Sequence, residues 1–213
     1  MNERSFRAST PMKGTMDNKR ELIFKATEKI IATKGLQGLS MQQIAQEAGV
    51  AAGTIYRYFT DKEELISELR KDVLRVVASH ILENCEEGTL EQRFKRVWFN
   101  IVDFGRQRTH ANLSYEQYIH LPGIDTGPHQ AFERSTFEGL HHIFTEGRDA
   151  GVFHNLQDKT LFATSLEPAI ALGRSIRRGQ MQYDKTELEF VCNLCWQSIL
   201  TPSNTTQKEQ SGR

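Results

Sequence analysis

The sequence predicts an all-α fold, and three observations predict it. Apolar residues recur at intervals of three and four along most of the chain. Ser or Thr stands three residues ahead of Gln or Glu where several of these runs begin. Turn residues such as Gly35, Gly49, Gly88, Pro122-Gly123 and Gly151 separate one run from the next. The first helix is expected over 18–34, with Leu22, Ile23, Ala26, Ile30 and Ile31 inward and Gly35 closing it. Ser40 and Gln43 are spaced as a capping box, and Leu39 and Ile44 as a hydrophobic staple, so a second helix begins at Met41 with Ile44, Ala45 and Ala48 on its apolar face. After the turn Gly49-Val50-Ala51, a third helix over 52–59 keeps Ile55 and Phe59 for the core at i and i+4. Thr60 and Glu63 form another box and open a long helix over 61–84, with Leu65, Leu69, Val73, Val76 and Val77 inward.

Glu86-Glu87-Gly88 breaks that helix, and Thr89 with Gln92 starts another that runs to 108. Its inner side is expected to hold Leu90, Phe94, Val97, Trp98, Ile101 and Phe104 or Gly105. A shorter helix over 111–120 precedes a loop bounded by Pro122-Gly123 and Gly127-Pro128, and a helix over 129–148 ends at Gly151. Asp158 and Asp184 are placed as N-caps of two last helices, 159–178 and 185–200. Inside the first of these, Pro168 cannot donate to the carbonyl of Thr164, which predicts a kink: a bend that serves packing alone, or one that leaves that carbonyl unpaired or opens space for a ligand.

Composition points to a cytoplasmic protein. No apolar run approaches the ~20 residues of a membrane span, residues 1–17 read as a flexible polar arm without the apolar core of a signal peptide, and 202–213 as a disordered tail. Cys85, Cys192 and Cys195 are too few for a disulfide framework. The net charge of zero hides an asymmetry: residues 1–60 hold nine Lys/Arg and five Asp/Glu, a balance of +4, so the remainder carries −4.

The basic end also carries the informative motif. A glycine-ended helix, a three-residue turn and a second helix presenting Gly53, Thr54, Tyr56, Arg57 and Tyr58 form a helix-turn-helix suited to the DNA major groove. Thr54 and Arg57 are the base-reading candidates, Thr for a thymine methyl or base edge and Arg for guanine O6 and N7. Gly53 lets the backbone approach closely, and the phenols of Tyr56 and Tyr58 suit phosphate oxygens. In the stretch AGVAAGTIYRYFTDKEEL, residues 48–65, the chain resembles the TetR/AcrR family of one-component bacterial regulators, with the match running from about Lys19 to Val77. The resemblance implies an N-terminal three-helix DNA-binding domain over 18–64 and a C-terminal helical ligand-binding and dimerisation domain over 65–201. It also implies that Tyr56, Tyr58 and Lys62 clamp phosphates while Ser40, Met41 and Gln42 meet the other strand.

The C-terminal half offers no catalytic set. The seven histidines are scattered, adjacent His141 and His142 point to different sides of a helix, and no H-E-x-x-H or paired-Cys arrangement supplies a metal site, so no enzyme, metal or cofactor is assigned. Cys192 and Cys195 share one helix face, where packing is favoured over redox or metal sensing. Aromatic residues abound instead, and by the resemblance Trp98, Phe104, Tyr115, Tyr118, Phe137 and His141 are candidates to line a site for an apolar or aromatic effector. Phe162, Leu166, Ile170, Leu188, Leu194 and Trp196 on the last two helices are the expected homodimer interface. The expected whole is a homodimeric repressor on a palindromic operator, such as that of an efflux or detoxification operon, that a small molecule releases. The alternative is a DNA-bound protein-interaction factor with no small-molecule inducer.

Overall fold

The computed structural model describes residues 13–107, 118 and 120–202; the expected arm up to residue 12, most of the helix over 111–120 and the tail after 202 lie outside the described residues. Among these residues no named strand occurs, and the one isolated β-bridge is antiparallel, between Phe153 and Leu200. Two compact units divide the chain between Arg70 and Lys71, the first also taking in the turn around Leu121 and Gly123.

The first unit contains α1 (Lys13–Lys34), a 3-10 turn at Leu36–Gly38, α2 (Met41–Glu47), α3 (Ala52–Ile55) and the first half of α4 (Lys62–Ile81). Ile23, Ala26, Thr27, Ile30 and Ile31 form the inner stripe of α1, together with Phe24. Leu22 was expected inside but is exposed, because the i, i+3, i+4, i+7 register set by Ile23 and Ile30 turns it outward. Thr27, fully buried, keeps its hydroxyl satisfied by donating to the Ile23 carbonyl at 2.7 Å. Phe24 packs on Phe59 at 5.6 Å between centroids, with the Arg20 guanidinium over its ring at 4.7 Å and paired to Glu68 at 3.0 Å. These contacts tie α1 to both the end of the helix-turn-helix and α4. The α4 cap lies one residue later than expected: Asp61 accepts from the Glu64 N–H at 2.7 Å, and Glu64 reaches back to the Thr60 N–H at 2.6 Å, so Thr60 and Glu63 are not the box. Two carboxylates on the first turn also favour the positive end of the helix dipole.

The second unit is organised around α5 (Leu90–Arg106), whose N-terminus carries the expected box, Thr89 and Gln92 exchanging bonds of 3.0 and 3.2 Å. Phe94, Val97, Trp98, Ile101 and Val102 are buried along it, each large side chain contributing roughly 1.5–3 kcal/mol. Val76 on α4 faces out instead; Leu74, Ala78 and Ile81 supply that helix's inner face here. Its C-terminal turn is capped from α5, with Asn100 donating to the Ile81 and Glu83 carbonyls at 3.2 and 3.0 Å and Arg96 to that of Asn84 at 2.7 Å.

The helix expected over 129–148 is two, α6 (Gly127–Thr136) and α7 (Glu138–Asp149), parted at Phe137. Ser135 and Thr136 both donate their hydroxyls to the Phe132 carbonyl, at 2.9 and 2.7 Å, competing with the backbone ladder at the break. The helix expected over 159–178 is likewise two, α8 (Asp158–Ser165) and α9 (Glu167–Arg177), divided at Leu166 ahead of Pro168. The Thr164 carbonyl that proline leaves without its partner accepts from the Ser198 hydroxyl at 3.3 Å, so the kink is closed by α10 (Lys185–Gln197). Asp184 caps α10 as expected, accepting from Thr186 and Glu187 N–H groups, but Asp158 sits inside α8 and makes ion pairs instead. Two glycines let α5 and α9 touch: a Cβ on Gly173 would lie 2.7 Å from the Val102 carbonyl oxygen, and one on Gly105 3.1 Å from the Gly173 Cα. Phe153 fills the space over Gly147, where a Cβ would meet its ring at 2.0 Å, and stacks edge-on against Trp196 at 5.3 Å.

Candidate nucleic-acid interface

The helix-turn-helix is built by its caps. Ser40 accepts from the Gln43 N–H at 3.2 Å, but the box is only half formed, since the serine hydroxyl lies 3.2 Å from the Gln43 amide oxygen and donates to it. At the other end, Gly49 has φ +65°, and bonds from Gly49 to Gln46 at 3.2 Å and from Val50 to Ala45 at 2.9 Å complete a Schellman motif. The chain is thereby turned into α3, which is held down by Ile55 and Phe59, 0% and 2% exposed.

Regular helix ends sooner than expected, at Ile55 rather than Phe59. Arg57 and Tyr58 bond three residues back, at 3.1 and 3.0 Å, which tightens the last turn. Gly53, Tyr56 and Arg57 are exposed, Thr54, Tyr58 and Lys62 half-buried. A Cβ on Gly53 would meet nothing within 4 Å, so no neighbour inside the protein requires glycine there. Tyr58 leans on Phe59, centroids 6.4 Å apart, with part of its ring in the small core. At the start of α2, Ser40 and Gln42 are exposed while Met41 is buried, which removes its side chain from any contact and leaves only its backbone N–H.

The expected effector-site residues fall in both units. Tyr118 belongs to the first unit and Trp98, Phe104, Phe137 and His141 to the second, while Tyr115 lies outside the described residues. Trp98 is a core residue, 0% exposed, stacked on Phe99 at 5.2 Å with its indole N–H near the Cys195 sulfur. Phe104 is half-buried against the His80 ring at 5.3 Å, and Phe137 stands at the break between α6 and α7. His141 is held by Asp158 at 2.6 Å, with Arg148 on the other carboxylate oxygen at 2.5 Å. Burial opposes ionisation of Asp158, but the His141 and Arg148 bonds outweigh it and hold the carboxyl below its usual range. Cys192 and Cys195 are buried, and burial raises both thiols, that of Cys192 to about 12, which disfavours the thiolate at each.

The expected interface set divides in two. Leu166, Leu188 and Trp196 are inside the single-chain core, Trp196 against Phe94 at 5.2 Å, and are not available to a second chain. Phe162 and Ile170 are half-buried and Leu194 is exposed. Sequence reasoning missed Phe190, at 64% the most exposed large apolar side chain among the described residues. The signal was present: with Leu188, Cys192, Cys195 and Ile199 at i, i+4, i+7 and i+11 facing in, Phe190 and Leu194 fall on the opposite side.

An exposed polar helix standing on a buried apolar anchor, after a Schellman turn, defines a helix-turn-helix DNA-binding regulator. Comparisons with known proteins carry this further: residues 23–69 match the model of bacterial regulatory proteins of the tetR family, and residues 89–200 that of a tetracyclin repressor-like C-terminal domain. The chain belongs to the TetR family of transcriptional regulators. It is 29% identical over 180 residues to an HTH-type transcriptional regulator of Haemophilus influenzae, covering 84% of this chain and 94% of that one. A solved TetR family regulator from Vibrio parahaemolyticus is 36% identical, covering 86% of this chain and 99% of its own, with a TM-score of 0.74. Another from Haemophilus influenzae Rd is 28% identical over 89% and 100% of the two chains, with a TM-score of 0.75. These relatives are regulators rather than enzymes.

Proposed function

We propose that this regulator is a homodimeric repressor that binds a palindromic operator and is released by a small-molecule effector. The observation that carries the DNA part is the face of α3: Gly53, Thr54, Tyr56 and Arg57 outside, Ile55 and Phe59 inside. Thr54 and Arg57 read bases, Tyr56, Tyr58 and Lys62 hold phosphates, and Ser40, Gln42 and the Met41 N–H meet the backbone at the start of α2. Dimerisation rests on Phe190 and Leu194, an i, i+4 apolar pair of α10 with 64% and 48% exposure, with Phe162 and Ile170 as half-buried neighbours in the set. Two-fold symmetry then sets the reading helices about 34–36 Å apart, one helical turn of DNA. Differential effector binding of ~1–3 kcal/mol weakens the operator ~5- to 150-fold.

A genome-wide footprint of the bound protein, followed by anisotropy on the strongest site, tests this reading. One or a few palindromic sites, bound by a dimer and released by a small molecule, are expected. Many scattered sites with a stable protein partner and no releasing molecule would replace repression by the interaction-factor reading.

A further inference from the structure

Arg70 is 7% exposed, on the stretch of α4 that belongs to the first unit. Its guanidinium lies against the turn at Gly123: φ there is +79°, and a Cβ would stand 2.9 Å from Nη1 and 3.1 Å from Nη2. Tyr118, also buried, is the titratable group that acts on it, and Nε has no hydrogen-bond partner. Among the described residues no carboxylate pairs with this cation. The contrast with two other arginines is instructive. Arg93, equally buried, has Glu146 at 2.5 Å, and Arg20, half-exposed, has Glu68 at 3.0 Å. A buried guanidinium stays charged, and burying a charge without a partner is strongly unfavourable. Burial pulls the Arg70 pKa down, with a smaller opposing pull from Tyr118.

We propose that Arg70 is the anchor for the carboxylate of a small-molecule effector. One guanidinium matches the single charge of a carboxylate with a planar, bidentate pair of N–H bonds, whereas a phosphate dianion carries a second charge that one guanidinium does not neutralise. The same turn holds Leu121, 2% exposed, an apolar side chain suited to the body of such a molecule. The consequence for DNA rests on the effector-released repressor reading. Arg70 lies on the same helix as Lys62, and Glu68 two residues before it is the partner of Arg20 on α1. A carboxylate arriving at Arg70 therefore loads the segment of α4 that braces the reading head.

The first test needs no ligand. Arg70→Met keeps the length of the side chain and removes its charge, so the effector-free variant should melt about 2–4 °C higher than the parent. A fall of that size would show the guanidinium to be satisfied in the empty protein and would overturn the anchor. The second uses benzoate and its neutral analogue benzamide as probes. Benzoate should raise the Tm of the parent saturably and benzamide should not, with at least ~10-fold weaker benzoate binding in Arg70→Met. Arg70→Lys, which retains the charge without the fork, should bind benzoate with an intermediate affinity and covers the case in which the methionine variant fails to fold. Equal or absent responses to the two probes would overturn the carboxylate anchor. Operator binding measured on the same samples without probe judges the repressor reading separately.

Discussion

The outward face of α3 and the outward face of α10 are both exposed, and they are built in opposite ways. Around Thr54 the surface is polar and small, with hydroxyls, one guanidinium and a glycine that no neighbour requires. On α10 an exposed apolar pair, Phe190 and Leu194, stands among the polar Glu187, Asn193 and Gln197, on a helix whose inner side already fills the core with Leu188, Cys192, Cys195 and Trp196. A polar exposed face is stable in water and can wait for a ligand. A large exposed aromatic beside an exposed leucine leaves apolar area that association would remove from water. The difference teaches that two partners of different chemistry are to be sought at the two places, and substitutions can separate them.

The largest effect is expected inside α10. Trp196→Ala removes a ring packed between Phe94 and Phe153 and should cost ~3–5 kcal/mol of stability by denaturant unfolding, whereas Phe190→Glu on the same helix should leave the subunit folded and shift sedimentation from dimer to monomer. A Phe190→Glu, Leu194→Glu double variant that still sediments as a dimer would place the contact elsewhere. Next come two glycines. Gly147→Ala drives a methyl into the Phe153 ring and should lose ~1–3 kcal/mol or more. Gly53→Ala meets nothing within 4 Å, so it should gain up to ~1 kcal/mol from helix propensity while weakening the operator. Unchanged DNA affinity for Gly53→Ala would mean that the backbone there does not approach the groove.

Arg57→Ala should lose ~1–3 kcal/mol of binding and relax preference at one base pair per half-site, while Tyr56→Phe weakens all sequences alike. A uniform loss for Arg57→Ala across a panel of operator variants would demote it to a phosphate contact. The smallest effect concerns pH. With its folded pKa raised to about 12 from an ordinary value near 9, Cys192 contributes stability that is whole below about 9 and is lost as pH rises toward 12. Melting curves between pH 8 and 10.5 should therefore fall less steeply for Cys192→Ala than for the parent.

Local chemistry was the most legible part of the sequence. The caps at Ser40, Thr89 and Asp184 and the turn at Gly49 depend on residues within three or four positions of each other, and each stands where its spacing placed it. Thr60 and Glu63 misled by one residue because Asp61 and Glu64 present the same spacing, and a carboxylate caps as well as a hydroxyl. The two split helices were legible to different degrees. Pro168 announced one break, but the other arises from two hydroxyls converging on a single carbonyl, which residue types alone do not reveal. Orientation was hardest on α10, since apolar residues occur on every side of it. Only knowing that Leu188 and Cys192 define the inner line turns Trp196 inward and Phe190 outward. The aromatic effector set is hard to read for a related reason: Trp98 has the composition of a pocket wall and is also wholly buried in the core.

The clasp that joins 152–154 to 199–201, with His154 donating to Ile199 at 2.9 Å and Thr201 to Val152 at 3.0 Å, also sets an order in time. Trp196, just before it, completes a core begun at Phe94 on α5. During synthesis the helices of the reading head emerge early, and the first unit's own chain is finished once Ile124 has left the ribosome. The second unit must wait for nearly its last residues, holding Phe94, Trp98 and Phe144 without their final cover in the meantime. The slow, chaperone-dependent step in making this regulator is thus expected in the second unit, after the helix-turn-helix unit is already formed.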